Sequence, residues 1–179
     1  HGEMALDADG RILAIRANAL HAVGAYTTGT LAPIEMSMRL IPSVYDVQTF
    51  WLESSGVLTH TTSVSSYRGA GRPEAANLVE RLLNQGALAV GIGPDEIRRR
   101  NFIRPDAMPY ASGTGHVYDS GEFARVMDQC LQNADWQGYA ARCARSREHG
   151  RLRGRSLACY IEVGGRMNDR MELRCDPGG

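Results

Sequence analysis

Two arginines and two glycines fall within five consecutive positions, Arg68-Gly69-Ala70-Gly71-Arg72, directly before Pro73. Glycine lacks a Cβ, so a ligand can approach the backbone closely at Gly69 and Gly71. Proline suits the first turn of a helix, where its missing N–H costs nothing. A helix start leaves free N–H groups, and its dipole favours an anion. Arg68 and Arg72 add positive charge and paired donors. This segment therefore suits an oxyanion, a phosphate or a metal-oxo group. By composition alone, an ordinary turn before a helix with two solvated arginines is the stronger reading.

The surrounding elements must hold this loop. Residues 3–25 read as a β-hairpin turning at Asp7-Ala8-Asp9-Gly10. A short helix carrying Met36, Met38 and Leu40 is expected between Pro33 and Pro42, and two short strands within 44–64, divided around Ser54-Ser55-Gly56. A helix over 73–91 follows the loop, with Leu78, Val79, Leu82, Leu83 and Val90 mostly on one face. Pro94-Asp95-Glu96 opens another helix to about residue 100, its acids at the positive end. Asp119 and Glu122 read as a capping box, with Tyr118 and Phe123 as its hydrophobic staple, before an apolar helical stripe. Asp135 is expected to cap a helix over 136–149. Leu157–Ile161 reads as a buried strand, and Met171, Leu173 and Cys175 alternate as a partner strand would. Strands, then helices, then strands make an α+β fold.

The 43% hydrophobic and 22% charged residues place the chain among globular proteins, not disordered ones. The net charge of +0 argues against a general nucleic-acid binder. No apolar run is long enough to span a membrane, and no signal-peptide pattern opens the chain. Cys130, Cys143, Cys159 and Cys175 form no C-x-x-C pair and read as free, mostly buried thiols of a reducing compartment. The five histidines have no metal-type spacing. Arg98-Arg99-Arg100 reads as a solvated helix end rather than a nucleic-acid patch. Arg151, Arg153 and Arg155 alternate as on one strand face, where acids could pair with them, and Trp136 with Tyr139 reads as packing.

The string Tyr67-Arg68-Gly69-Ala70-Gly71-Arg72-Pro73-Glu74-Ala75 resembles the active-site loop of the molybdenum hydroxylase large subunit, the xanthine dehydrogenase, aldehyde oxidase and carbon monoxide dehydrogenase family. Gly56-Val57-Leu58-Thr59, Asp95 to Asn101, Met108-Pro109-Tyr110, Tyr118 to Gly121, Gly150 to Gly154 and Tyr160-Ile161-Glu162 extend the resemblance over about residues 5–165.

The resemblance implies a molybdopterin cofactor with molybdenum, in bacteria often the cytosine dinucleotide. It implies hydroxylation of an aldehyde or N-heterocycle with oxygen from water. Electrons would leave through iron–sulfur clusters and FAD on partner subunits or domains, in the cytoplasm. Arg68, Gly69 and Ala70 carry over as cofactor-side residues, with Ala70 facing the substrate pocket. Gly71 belongs to the same loop, and Arg72 is added on electrostatic grounds. The protein supplies no direct metal ligand in this loop. Copper-using carbon monoxide dehydrogenases carry a cysteine directly after the arginine, and here that residue is Gly69. The thiolate that soft copper needs is missing, so no copper site is expected. His60 stands where many relatives have Asn.

The family's general-base glutamate, its Gly-Phe loop and its glutamine near the metal have no match in the chain. Residues 1–179 therefore read as a partial molybdopterin-binding domain, truncated at both ends and inactive alone. Exposed apolar surface would then favour self-association into homo-oligomers. The rival reading is a non-catalytic assembly or phosphate- and cofactor-binding module. A small-molecule kinase or NTPase is a distant third, because the G-x-x-x-x-G-K-[ST] pattern is absent.

Overall fold

The computed structural model describes residues 1–27, 29, 31–162, 170–176 and 178. Strand β1 (Gly2–Leu6) pairs antiparallel with β2 (Ile12–Gly24), placing Met4 opposite Ile15. The expected turn closes this hairpin. Asp7 Oδ1 accepts hydrogen bonds from the Asp9 and Arg11 N–H groups at 2.9 and 2.8 Å, and Gly10 takes a φ of +78°.

Helix α1 (Leu31–Arg39) then carries the chain across to β3 (Phe50–Leu58), which pairs parallel with β2 from Ile15–Phe50 to Gly24–Leu58. A parallel pair needs such a crossover. The two short strands expected around Ser54-Ser55-Gly56 are thus one. The long partner β2 supplies a continuous ladder that overrides the turn-like composition. Gly56 fits because a Cβ there would come within 3.0 Å of Val23.

Helix α2 (Arg72–Val90) buries Ala75, Val79, Leu83 and Ala87, an apolar stripe of four-residue spacing. With Ile15, Ala17, Ile41, Val44, Tyr45 and Ile97 this stripe forms the main core. Helix α3 (Pro94–Asn101) is fastened to the hairpin through Asn101, whose Oδ1 accepts from the Ile12 N–H at 2.7 Å and whose Nδ2 donates to the Gly10 carbonyl at 2.8 Å. Strands β4 (Tyr110–Ala111) and β5 (Val117–Tyr118) make a two-stranded ribbon whose tyrosines join Ile103 in a smaller core. Helices α4 (Phe123–Asn133) and α5 (Tyr139–Glu148) follow. The order and types of these elements are those of an α+β fold.

Several expectations are corrected. Helix α4 starts at Phe123 with Glu122 as its cap residue and no side-chain capping bond. Glu122 instead pairs with Arg125, and Asp119 accepts from Ser120, so the capping box is not made. Phe123 still packs against the cluster containing Tyr118. Asp135 lies in the turn before α5, accepting from the Gly138 N–H at 3.2 Å, and Gly138 is the cap residue. Leu157–Ile161 is extended and half-buries Leu157, Cys159 and Ile161 against the core, but it joins no ladder. Residues 170–176 form no strand, and Met171 and Leu173 are exposed. The cysteines are free, but Cys130 and Cys175 are exposed and the other two only partly covered.

Arg98 departs furthest from expectation. It does not cover a solvated helix end but is fully buried. Its Nε donates to Glu80 Oε2 at 2.9 Å, and its Nη2 donates to Asn84 Oδ1 and to the Leu157 carbonyl, both at 3.0 Å. Tyr45 completes the cluster, donating to Glu80 Oε1 at 2.5 Å. Burial and the adjacent Glu80 carboxylate push the Tyr45 phenol well above its usual range. No helix among the described residues is long and apolar enough to cross a membrane.

Candidate functional site

The loop before α2 is fixed by its own backbone. The Ala70 N–H donates to the Tyr67 carbonyl at 2.8 Å, and the Arg72 N–H to the Gly69 carbonyl at 2.9 Å. Gly69, Ala70 and Gly71 take φ values of +97°, +35° and +91°, three consecutive left-handed residues. Such a run keeps the loop out of the regular helical pairing that starts at α2. Among the described residues, no acceptor meets the N–H groups of Gly69, Gly71 or Glu74. No side chain caps α2.

The two glycines do different work. A Cβ on Gly71 would lie 2.1 Å from the Pro33 carbonyl oxygen and 2.7 Å from the Ser37 nitrogen, so the bare side of Gly71 is pressed on α1. A Cβ on Gly69 would meet only the Pro73 ring, at 3.2 Å. Gly69 lines the mouth of a cavity of about 250 Å³ that also touches Leu40, Ser43, Arg72, Tyr160 and Glu162.

The two arginines also differ. Arg68 is exposed, and its guanidinium has no ion partner among the described residues. Arg72 is largely covered. Its Nε lies 2.8 Å from Glu162 Oε1, and its Nη1 donates to the Gly69 carbonyl at 3.3 Å. Arg72 therefore ties the loop to the extended segment at Tyr160–Glu162, while Arg68 keeps its charge available. Ala70 is half-exposed beside it. The structure thus brings Gly69, Arg72 and Glu162 to one cavity and leaves Arg68 at the solvent side. The Glu162 contact was invisible in the sequence, because 90 residues separate the pair and nothing in a strand-like stretch marks an ion partner. Among the described residues, no group of three His, Cys, Asp or Glu side chains could hold a metal ion.

Residues 1–102 match the family model of the molybdopterin cofactor-binding domain. The gamma subunit of the 6-hydroxypseudooxynicotine dehydrogenase complex of Paenarthrobacter nicotinovorans is 28% identical over 169 residues, covering 91% of this chain and 21% of its own length. The carbon monoxide dehydrogenase large chain of Hydrogenophaga pseudoflava is 29% identical over 198 residues, covering 99% of this chain and 24% of its own. Among solved structures, quinoline 2-oxidoreductase from Pseudomonas putida 86 superposes with a TM-score of 0.76 at 28% identity, over 82% of this chain and 19% of that one. The chain thus spans 19–24% of the length of these relatives.

Proposed function

The chain belongs to the molybdopterin cofactor-binding domain family, and from that premise we propose that its Arg68–Arg72 loop holds the molybdenum cofactor of a hydroxylating oxidoreductase. The observation that carries this reading is the run of three positive-φ residues, Gly69 to Gly71, in which the Gly69 and Gly71 N–H groups meet no acceptor and the neighbouring Arg68 meets no ion partner among the described residues. Fixed donors of this kind stabilise negative charge at no reorganisation cost.

Gly69 and Ala70 present the loop's open side, and Arg68 faces the cofactor's oxyanionic groups. Gly71 and Arg72 hold the loop in shape, through α1 and Glu162 respectively. When bound, the cofactor, in its cytosine dinucleotide form, supplies the redox centre for hydroxylating an aldehyde or N-heterocycle with oxygen from water. Ala70 borders the substrate space, and its small methyl leaves room for a ring. The chain acts as one segment, residues 1–179, of a larger cytoplasmic subunit whose remainder supplies the general base. Iron–sulfur and flavin subunits receive the electrons. The names of the relatives support this reading, one being a subunit of a dehydrogenase complex.

The test is Arg68→Ala in the whole subunit, with molybdenum and pterin measured per polypeptide. The proposal expects both to fall together by about tenfold or more, the effect of losing a charge-assisted bond. Full occupancy with unchanged turnover would remove Arg68 from the cofactor site.

A further inference from the structure

A second positively charged site lies away from the loop, at α5 and the segment that follows it. Arg142, Arg145, Ser146 and His149 share one helical face by their spacing of three and four. Gly150 turns the chain with a φ of +67°, and the Arg151 N–H donates to the Ser146 carbonyl at 2.8 Å. Residues 151–155 therefore run back along the helix. The result is a shallow bowl of about 610 Å³ lined by Arg142, Arg145, Ser146, His149, Arg151 and Arg153.

The rim is built, not merely basic. Arg153 is held by Ser146 Oγ at 3.0 Å, and its carbonyl accepts from the Tyr139 hydroxyl at 2.8 Å. Arg142 is anchored to Asp135 and to the Ala134 carbonyl. His149 Nδ1 lies 2.7 Å from the Arg145 carbonyl, which orients the ring with Nε2 outward. Arg155, outside the lining, places its guanidinium 3.9 Å from the Trp136 ring centre and 4.3 Å from that of Tyr139. Arg145 and Arg151 have no acidic partner among the described residues. The bowl thus concentrates guanidinium donors in a chain of net charge +0, and such a local field attracts anions.

We propose that this bowl binds a small molecule through a diphosphate group. Guanidinium forks match phosphate oxygens in pairs, and several of them converge on one concave space. A single-stranded nucleic acid fits less well, since it needs open aromatic platforms, and Arg155 covers both Trp136 and Tyr139. A protein partner fits less well too, because a stable interface covers about 800 Å² per side, far more than this bowl offers. The site is independent of the Arg68 loop and does not rest on the cofactor reading.

The experiment is calorimetric titration of the full chain with sodium pyrophosphate at low ionic strength. The double variant Arg145→Gln, Arg151→Gln is expected to weaken binding by about tenfold or more, the loss of two charge-assisted contacts. The exposed control Arg81→Gln is expected to leave binding unchanged, and far-UV circular dichroism reports that both variants are folded. Absence of pyrophosphate binding to the natural sequence would overturn the proposal, as would equal binding by the folded double variant. Tighter binding of a single-stranded oligonucleotide than of pyrophosphate would overturn it as well.

Discussion

The guanidinium of Arg98 and the carboxylate of Glu80 form an ion pair at 2.7 Å between α3 and α2, with the arginine side chain fully buried and the glutamate nearly so. The same guanidinium holds the Leu157 carbonyl at 3.0 Å. It thereby fixes the segment that, five residues later, places Glu162 against Arg72. A buried charge pair far from the loop thus contributes to the loop's geometry.

Breaking that pair from one side leaves an uncompensated buried charge. Glu80→Leu is expected to destabilise the fold by about 3–5 kcal/mol. Adding Arg98→Met to Glu80→Leu is expected to recover part of the loss, because the stranded charge goes with it. Urea unfolding of Glu80→Leu, Arg98→Met and the double variant checks this. Additive losses in the double variant would show that the two residues do not act as a pair.

Two left-handed glycines separate conformational from packing effects. Gly91 has a φ of +79° and nothing within 4 Å of an added Cβ, so Gly91→Ala is expected to cost about 1 kcal/mol. Gly71 has a φ of +91° and the Pro33 oxygen at 2.1 Å, so Gly71→Ala is expected to cost several times as much. Comparable midpoints in thermal unfolding would mean that α1 and the loop are not in the contact described.

Burial, reinforced by the nearby Glu80 carboxylate, pushes the Cys159 thiol up from 9.0 to about 11. Burial alone raises the Tyr118 phenol to about 12. Both groups are neutral in the fold and ionise more readily when unfolded. Their contribution is therefore complete below pH about 9 and is lost as pH rises through about 11 to 12. Stability measured from pH 8 to 11 is expected to fall at the alkaline end. At pH 8 the exposed Cys130 and Cys175 should react with iodoacetamide well before Cys159, and mass spectrometry of partly alkylated protein reads the order.

Gly69 also bears on the metal content of the whole enzyme. It offers no thiolate, so the full-length subunit is expected to carry molybdenum without copper. Copper at parity with molybdenum by inductively coupled plasma mass spectrometry would contradict this. Ala70→Phe is expected to raise KM for bulky heterocycles while leaving molybdenum content intact. An unchanged KM across substrate sizes would place Ala70 outside the pocket.

The hairpin, α2 and α3 were legible because each carries a local signal: the Asp7–Gly10 turn, the four-residue apolar spacing, Pro73 and Pro94 at helix starts. Strand β3 was misread because Ser54-Ser55-Gly56 looks like a break, and only its pairing with β2 makes it continuous. The Asp119 capping box failed for a similar reason. Its pattern fits, yet the β5 ribbon and the Glu122–Arg125 pair set the helix start later. Arg98 could not have been placed from sequence, since a triple arginine at a helix end gives no sign that one member turns inward to Glu80. In the loop, the residues and their left-handed potential could be read directly. The division of labour could not: Gly71 turned to α1 and Arg72 to Glu162, leaving Gly69 and Arg68 toward the open side.

The most direct test is an electron cryomicroscopy structure of the cofactor-loaded full-length subunit. The N–H groups of Gly69 and Gly71 are expected within about 3.2 Å of cofactor oxygen atoms, with the Arg68 side chain beside them. A cofactor density that contacts neither this backbone nor Arg68 would contradict it.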